Sequence, residues 1–301
     1  MAKQKVLSIV GPTGVGKTAL SVILAKKFNG EIISADSMQV YRKMDIGTAK
    51  VTEEEKQGIE HYLVDVQDYS EPYNVKIFQE KCRESIDNIV FKNKFPIICG
   101  GTGLYLKAAM YDYDFKEEEE DTEYLDFLRS KSDEELYEML QKVDEKSLEK
   151  IHPNNRKRII RALMIAHTGE IKSEREAKQE HKPIYDVFFL GLDVDRELLH
   201  ERINTRVDKM FEEGLVEEVT ELFQDPATWE YTSFQGIGYK EFKDYFEKTR
   251  TLEQVKTDIK THSRRYAKRQ YTWFKNQMDV HWYDVADREQ MIEDIKSWLN
   301  D

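Results

Sequence analysis

Residues 6–20, VLSIVGPTGVGKTAL, constrain this chain more than any other stretch. Gly11, Gly16, Lys17 and Thr18 satisfy G-x-x-x-x-G-K-[ST], the phosphate-binding loop. Such a loop works where a strand delivers it and a helix begins with it. Its glycines turn successive N–H groups toward phosphate oxygens, the lysine adds a point charge, and the threonine hydroxyl is placed to ligate Mg2+ at the helix N-terminus. All of these contacts read phosphate and none reads a base. The flanks agree: 5–10 is an apolar run, and Leu20, Ile23, Leu24 and Phe28 follow at helical spacing until Asn29 and Gly30 stop the helix.

The pattern then repeats. EIISA (31–35) reads as a second strand that delivers Asp36 and Ser37 at its carboxyl end, the edge where open parallel sheets bind ligands. EHYLVDV (60–66) reads as another strand, and 74–90 carries Val75, Phe78, Cys82, Ile86 and Ile89 at amphipathic helical spacing. FPIICGGTGLY then ends a buried strand on Gly100 and Gly101. Strands alternating with helices predict an α/β fold with a doubly wound parallel sheet, like that of P-loop NTPases. From 116 to 186 the chain turns strongly charged and shows only helical periodicity, as in Leu136, Met139, Leu140 and Val143. This segment is expected to be a smaller all-helical insertion domain, with 1–115 and 187–301 forming the core and its C-terminal helices. Its acidic run Glu117 to Asp121 reads as a solvated linker. DVFFLGLDVD (186–195) restores a core strand, helices follow with a break at Gly214, and DVHWYDV (279–285) reads as the last strand.

At 40% hydrophobic and 35% charged residues over 301 positions, the chain has enough apolar content for a sizeable core. Two cysteines, Cys82 and Cys99, cannot form a disulfide framework, and no zinc motif is present. The phosphate loop follows the first ten residues directly, and no apolar run approaches membrane-spanning length, so a cytoplasmic, membrane-free protein is expected. Nothing in the sequence calls for an obligate protein partner. The net charge of -12 argues by itself against a polyanionic partner, but binding faces are local.

A nucleoside triphosphatase would end a further strand in Asp or Asp-Glu to hold magnesium. Here the corresponding strand ends in CGGTGLY, which leaves Asp36 as the main carboxylate near the loop.

Six segments occur in order: GPTGVGKT, EIISADSMQVYRKMDIGTAK, PIICGGTGLYLKA, RIIRAL preceded by IHPNN, ERINTRVDKM and AKRQYTWF. With them the sequence resembles the tRNA dimethylallyltransferase (tRNA isopentenyltransferase) family over nearly its whole length. The resemblance implies that Gly11, Pro12, Thr13, Gly14, Val15, Gly16, Lys17 and Thr18 bind the diphosphate of dimethylallyl diphosphate. The prenyl group then passes to the exocyclic amine of the adenosine 3′ of a tRNA anticodon, diphosphate leaves, and no ATP is consumed. That amine is a weak nucleophile, and a carboxylate that takes its proton contributes roughly 10²- to 10⁴-fold. Asp36 matches the family's general base. Charge on the leaving diphosphate falls to Lys17, to Mg2+ held by Thr18, and to Arg206, favoured over Arg202. Ser37, Met38 and Gln39 match the stretch that meets the target adenosine, and Thr13 and Thr102 match positions lining the reaction channel. Read without the family, Ser37 is a helix cap and Thr102 part of a strand-to-helix turn.

Two basic clusters interrupt the acidic background. Arg156, Lys157, Arg158 and Arg161 follow Pro153, which reads as a helix start. The second cluster stacks Arg264 on Lys268 and Arg265 on Arg269 at four-residue spacing, with Gln270 next in line. Like charges stacked on a helix repel, and a polyanion facing them would relieve this. Both clusters match family segments that contact the tRNA anticodon stem-loop, and the resemblance places the insertion as its grip. Tyr266 and Trp273 continue the apolar series Leu252, Val255 and Ile259, and so read as core. His61, His152 and His167 read as structural. An adenylate prenyltransferase, a P-loop small-molecule kinase and a noncatalytic RNA-binding protein remain as other readings. The first has no need of the basic helix, the second leaves DSMQVY unexplained, and the third accounts only for the basic clusters.

Overall fold

KVLSIV forms strand β1 (Lys5–Val10), and its two faces build two separate cores. Val6 and Val10 pack with Ile98, Phe78 and Phe274, while Leu7 and Ile9 pack with Leu24, Ile97 and Met291. Each fully buried aliphatic side chain of this kind stabilises the fold by about 1.5–3 kcal/mol. Burial on both faces is what a central parallel strand requires.

The computed structural model describes residues 3–113, 115, 121–174 and 182–301. It falls into two compact units, Met1–Tyr111 with Pro183–Asp301, and Asp112–Lys182. In the first, β2 (Gly30–Ser34), β3 (His61–Tyr62), β4 (Phe95–Cys99), β5 (Asp186–Asp193) and β6 (His281–Asp284) join β1 in the order β3-β2-β4-β1-β5-β6. Every pairing is parallel, with Leu7 beside Ile97 and Phe188 in register. Helices α1 (Lys17–Phe28), α2 (Glu53–Lys56), α3 (Val75–Phe91) and α4 (Gly103–Met110) connect the first strands. The doubly wound α/β core expected from the alternation is therefore present, although the 60–66 strand shrinks to two residues at the sheet edge. Because β4 lies between β2 and β1, the turn after it sits beside both the phosphate loop and the residues following β2.

The second unit holds α5 (Thr122–Ser130), α6 (Asp133–Leu148) and α7 (Arg156–His167) around Leu128, Leu136, Leu140, Ile159 and Leu163. Its junctions lie at 112 and 183, each four residues before the positions read from the sequence. An antiparallel bridge between Tyr111 and Pro183, with Ile184 N–H donating to Met110 C=O at 3.0 Å, ties off the core there. Of the acidic run, Glu117–Glu120 lie outside the described residues. Asp121 caps α5 by accepting from Tyr124 N–H at 2.9 Å and pairs with His167 at 3.0 Å. Pro153 does not start α7: Asn155 is the cap, and Pro153 belongs to the turn before it.

Helices α8 (Arg196–Glu212), α9 (Leu215–Leu222), α10 (Leu252–Gln277) and α11 (Arg288–Asn300) follow in the first unit, with one helical turn at Lys243–Phe246 ahead of α10. Between α9 and α10 the chain runs through short 3-10 turns (Pro226–Glu230, Ser233–Gln235 and Lys240–Phe242) that bury Trp229, Phe234, Tyr239 and Phe242. Among the described residues, no helix is long and apolar enough to cross a membrane.

Candidate active site

The phosphate loop leaves β1 at Gly11 and enters α1 at Lys17, with Gly11, Gly14 and Gly16 at φ values of 140°, 80° and 107°. L side chains rarely adopt this region, so the loop's curvature depends on these glycines. Lys17 Nζ donates to Pro12 C=O at 2.8 Å across the loop. Burial lowers the Lys17 ammonium to about 8; Cys99 and Asp36 oppose the shift and Arg206 adds to it. Burial also lowers Arg206, against the pull of Asp36. Two cations thus converge where little water screens them, a site that favours an anion. Arg206 Nη1 donates to Thr13 Oγ1 at 3.2 Å, and Arg202 Nη1 reaches Val15 C=O at 3.5 Å.

Asp36 follows β2 at the same edge. Its Oδ1 accepts from the N–H groups of Met38 (2.8 Å) and Gln39 (3.4 Å), which fixes the carboxylate as the chain turns. The Gln39 amide is engaged within the protein: its Oε1 accepts from Ser34 and its Nε2 donates to Thr48 and Ala49 carbonyls. Thr102 precedes α4, yet its hydroxyl makes no cap bond and accepts from Ser37 N–H at 3.3 Å instead.

Two cavities open from this edge. A small one of about 90 Å³ is lined by Lys17, Thr18, Ser34, His61 and Cys99, and a wider one of about 300 Å³ by Met38, Thr48, Ile203, Met210, Ile237 and Arg269. Thr13, Asp36, Arg206 and Tyr266 line both. One end of the resulting passage carries Lys17 and the Thr18 hydroxyl, the other is broader and partly apolar, and Arg206 and the Asp36 carboxylate stand at their junction.

The basic residues divide between the two units. On α10, Arg265, Lys268 and Arg269 are exposed, and the Arg269 guanidinium lies 5.5 Å from the Tyr266 ring centre. Arg264 is half-buried and donates to Asn204 and Thr261 side chains. In the helical unit, Lys157, Arg158 and Arg161 lie on α7, and all three are exposed. Arg156 instead braces that unit, bonding Asp133 and the Arg129 and Lys131 carbonyls.

Comparison with known proteins fits this arrangement. The IPP transferase family model matches residues 39–277, and a second model, isopentenyl transferase, matches residues 4–71. The chain belongs to the IPP transferase family. It is 50% identical to the tRNA dimethylallyltransferase of Bacillus anthracis across 98% of this chain and 96% of that protein. The crystal structure of the full-length tRNA isopentenylpyrophosphate transferase of Bacillus halodurans is similar with a TM-score of 0.75 at 41% identity, covering 99% of this chain and 97% of that one. A eukaryotic dimethylallyltransferase captured crystallographically acting on tRNA is similar with a TM-score of 0.83 at 35% identity, covering 95% of this chain and 75% of that one.

Within this IPP transferase the structure relocates two residues. Tyr266, expected in the core, lines both cavities; burial, followed by the charge of Asp36, pushes its phenol up to about 12. Trp273 does pack as core, against Gly103 and Phe274. Gln270 is 6% exposed, and its amide is used inside the protein: Oε1 accepts from Thr13 N–H at 2.8 Å and Nε2 donates to Gly101 C=O at 3.0 Å. Sequence reasoning also missed the segment 235–240, whose Gln235, Gly236, Ile237 and Lys240 wall the wider cavity. The closely spaced Gly236 and Gly238 among buried aromatics were the available signal. His61, read as structural, lines the small cavity while its Nδ1 bonds Ile59 C=O at 2.9 Å.

Proposed function

We propose that this IPP transferase transfers the dimethylallyl group of dimethylallyl diphosphate to the N6 amine of the adenosine 3′ of a tRNA anticodon, releasing diphosphate. The observation that carries this reading is the shared wall of Thr13, Asp36, Arg206 and Tyr266 between a cationic cavity and a wider one. The diphosphate occupies the small cavity against the loop N–H groups, Lys17 and Arg206. The adenine, flipped out of its loop, enters the wide one. Its N6 attacks C1 of the prenyl group, the C1–O bond breaks with its electron pair leaving on diphosphate, and the N6 proton passes to Asp36. Holding the two reactants in line on either side of the carboxylate supplies the proximity term, and the two cations stabilise the leaving charge.

Mg2+, when bound, neutralises part of the diphosphate charge. The residues present fit it: the Thr18 hydroxyl, on the first turn of α1, lines the small cavity with Asp36. Among the described residues no cluster of three or more His, Cys, Asp or Glu could hold a metal ion, which suits an ion that takes most of its ligands from water and substrate phosphate. Thr18 would hold it.

Arg265, Lys268 and Arg269 on α10, and Lys157, Arg158 and Arg161 on α7, are proposed to bind tRNA phosphates. Ser37 and Met38, beside Asp36, border the acceptor cavity and are proposed to meet the adenosine. The test offers purified protein dimethylallyl diphosphate, Mg2+, unmodified tRNA and free adenylate together. Prenylated tRNA is expected as the product, whereas prenylated adenylate would transfer the assignment to the free nucleotide.

A further inference from the structure

Glu218, on α9, belongs to none of the motifs, yet it grips the DSMQVYRKMDIGTAK segment. Its Oε2 accepts from the N–H groups of Asp45 (2.8 Å) and Ile46 (2.7 Å), and its Oε1 from Gly47 N–H (3.0 Å). The Tyr239 hydroxyl also donates to Oε1, at 2.7 Å. Three successive amides converging on one carboxylate are the arrangement usually built for a bound anion, here filled by the chain's own side chain. Such charge-assisted bonds are roughly twice as strong as neutral ones.

Tyr239 reinforces the grip. Its buried ring occupies the space beside Gly47, where a Cβ would lie 2.5 Å from the ring. Burial and the neighbouring Glu218 raise its phenol well above the ordinary range, so it stays a donor. From the other side, Gln39 Nε2 donates to the carbonyls of Thr48 (3.4 Å) and Ala49 (3.2 Å). Gly47 and Thr48, clamped between these groups, form part of the wall of the wide cavity beside Asp36 and Met38.

We infer that Glu218 is a positioning residue for the acceptor: through the amides of residues 45–47 it fixes the wall against which the target adenine is oriented for attack. This role rests on the reading of the wide cavity as the acceptor's. It predicts a loss in the chemical step without a loss in gross RNA affinity, because phosphate contacts elsewhere supply most of that affinity.

The full chain carrying Glu218→Gln, which keeps the side-chain shape but turns N–H donors toward backbone N–H groups, tests it alongside Tyr239→Phe. Amide hydrogen exchange at residues 45–47 is expected to accelerate in Glu218→Gln. Its kcat for tRNA prenylation should fall by about tenfold, since small misplacements near a reacting centre are costly. KM for dimethylallyl diphosphate and Kd for tRNA should stay within about twofold of wild type. Tyr239→Phe, which removes one of four bonds, should show the same pattern with about a two- to threefold loss in kcat, and it carries the test if Glu218→Gln does not fold. Faster exchange with unchanged kcat would make the clamp purely structural and overturn the inference. So would a parallel loss of tRNA binding. A wild-type protein that prenylates no tRNA would overturn the functional reading and this role with it; accelerated exchange at 45–47 would still register the clamp, because that readout needs no substrate.

Discussion

The backbone N–H of Thr13 donates to Oε1 of Gln270 at 2.8 Å, joining the phosphate loop to helix α10. The other end of the same amide holds Gly101 C=O at 3.0 Å, on the turn after β4. A Cβ on Gly101 would lie 2.0 Å from Gln270 Nε2, so the glycine is what lets the amide approach. The turn where a nucleoside triphosphatase would carry its magnesium-binding acid is thus occupied by a buried amide that fixes the loop.

Replacing Gln270 with Leu leaves Thr13 N–H and Gly101 C=O without their partner, at about 1–3 kcal/mol for each buried group left unpaired. The expected outcome is a lower melting temperature and a KM for dimethylallyl diphosphate raised by about tenfold. Steady-state kinetics and a thermal melt check both. An unchanged KM would show that the loop is fixed without Gln270.

Asp36→Asn retains an oxygen able to accept from Met38 N–H but cannot take the N6 proton. Turnover should fall by roughly 10²- to 10⁴-fold, while the mutant still binds tRNA and dimethylallyl diphosphate in equilibrium assays. Wild-type turnover would remove Asp36 as the base.

The contrast between Asp36 and Gln270 shows what a one-dimensional reading reaches. Asp36 was legible because it ends a strand with clear apolar character, and strands in a parallel sheet present their carboxyl ends to ligands. The alternating faces of β1, and the Phe78, Cys82, Ile86 and Ile89 stripe of α3, were legible for the same reason: burial imposes a period. The inward roles of Gln270 and Glu218 were not, because each acts on residues far away in the chain, and no local spacing encodes which loop a helix face will meet. Tyr266 shares the apolar stripe of α10 and was read with it, although at that turn the helix faces a cavity rather than packed side chains. The aromatic turns of 226–246 have neither a 3.6 nor a 2.0 period, so the wall they give the wide cavity left only glycines as its trace.

Lys17 gives a pH prediction. Its ammonium must be charged to hold diphosphate, and in the free protein burial sets it at about 8. Because the proton is lost as pH rises through that value, affinity for dimethylallyl diphosphate should be level below about pH 8 and fall by about tenfold per pH unit above it. Lys17→Arg should remove this decline, since arginine stays charged throughout. Calorimetric titrations from about pH 6 to about pH 10 span the transition, and a level wild-type profile across that range would contradict the assignment.

Arg265 and Arg269 are exposed on α10. Their joint replacement by Ala should weaken tRNA binding and reduce the slope of log K against log salt by roughly 0.7 to 0.9 for each phosphate no longer neutralised. Filter binding across a salt series gives the slope. A slope equal to that of wild type would mean that both side chains face only solvent.

In the proposed reaction the phosphate loop holds a leaving group, with the nucleotide as acceptor. Counting diphosphate released against prenylated adenosine formed, with dimethylallyl diphosphate, Mg2+ and tRNA but no nucleoside triphosphate, tests it most directly. One diphosphate is expected for each tRNA adenosine heavier by one prenyl unit, at the position 3′ of the anticodon. A requirement for ATP, or ATP hydrolysed in proportion to product, would contradict it.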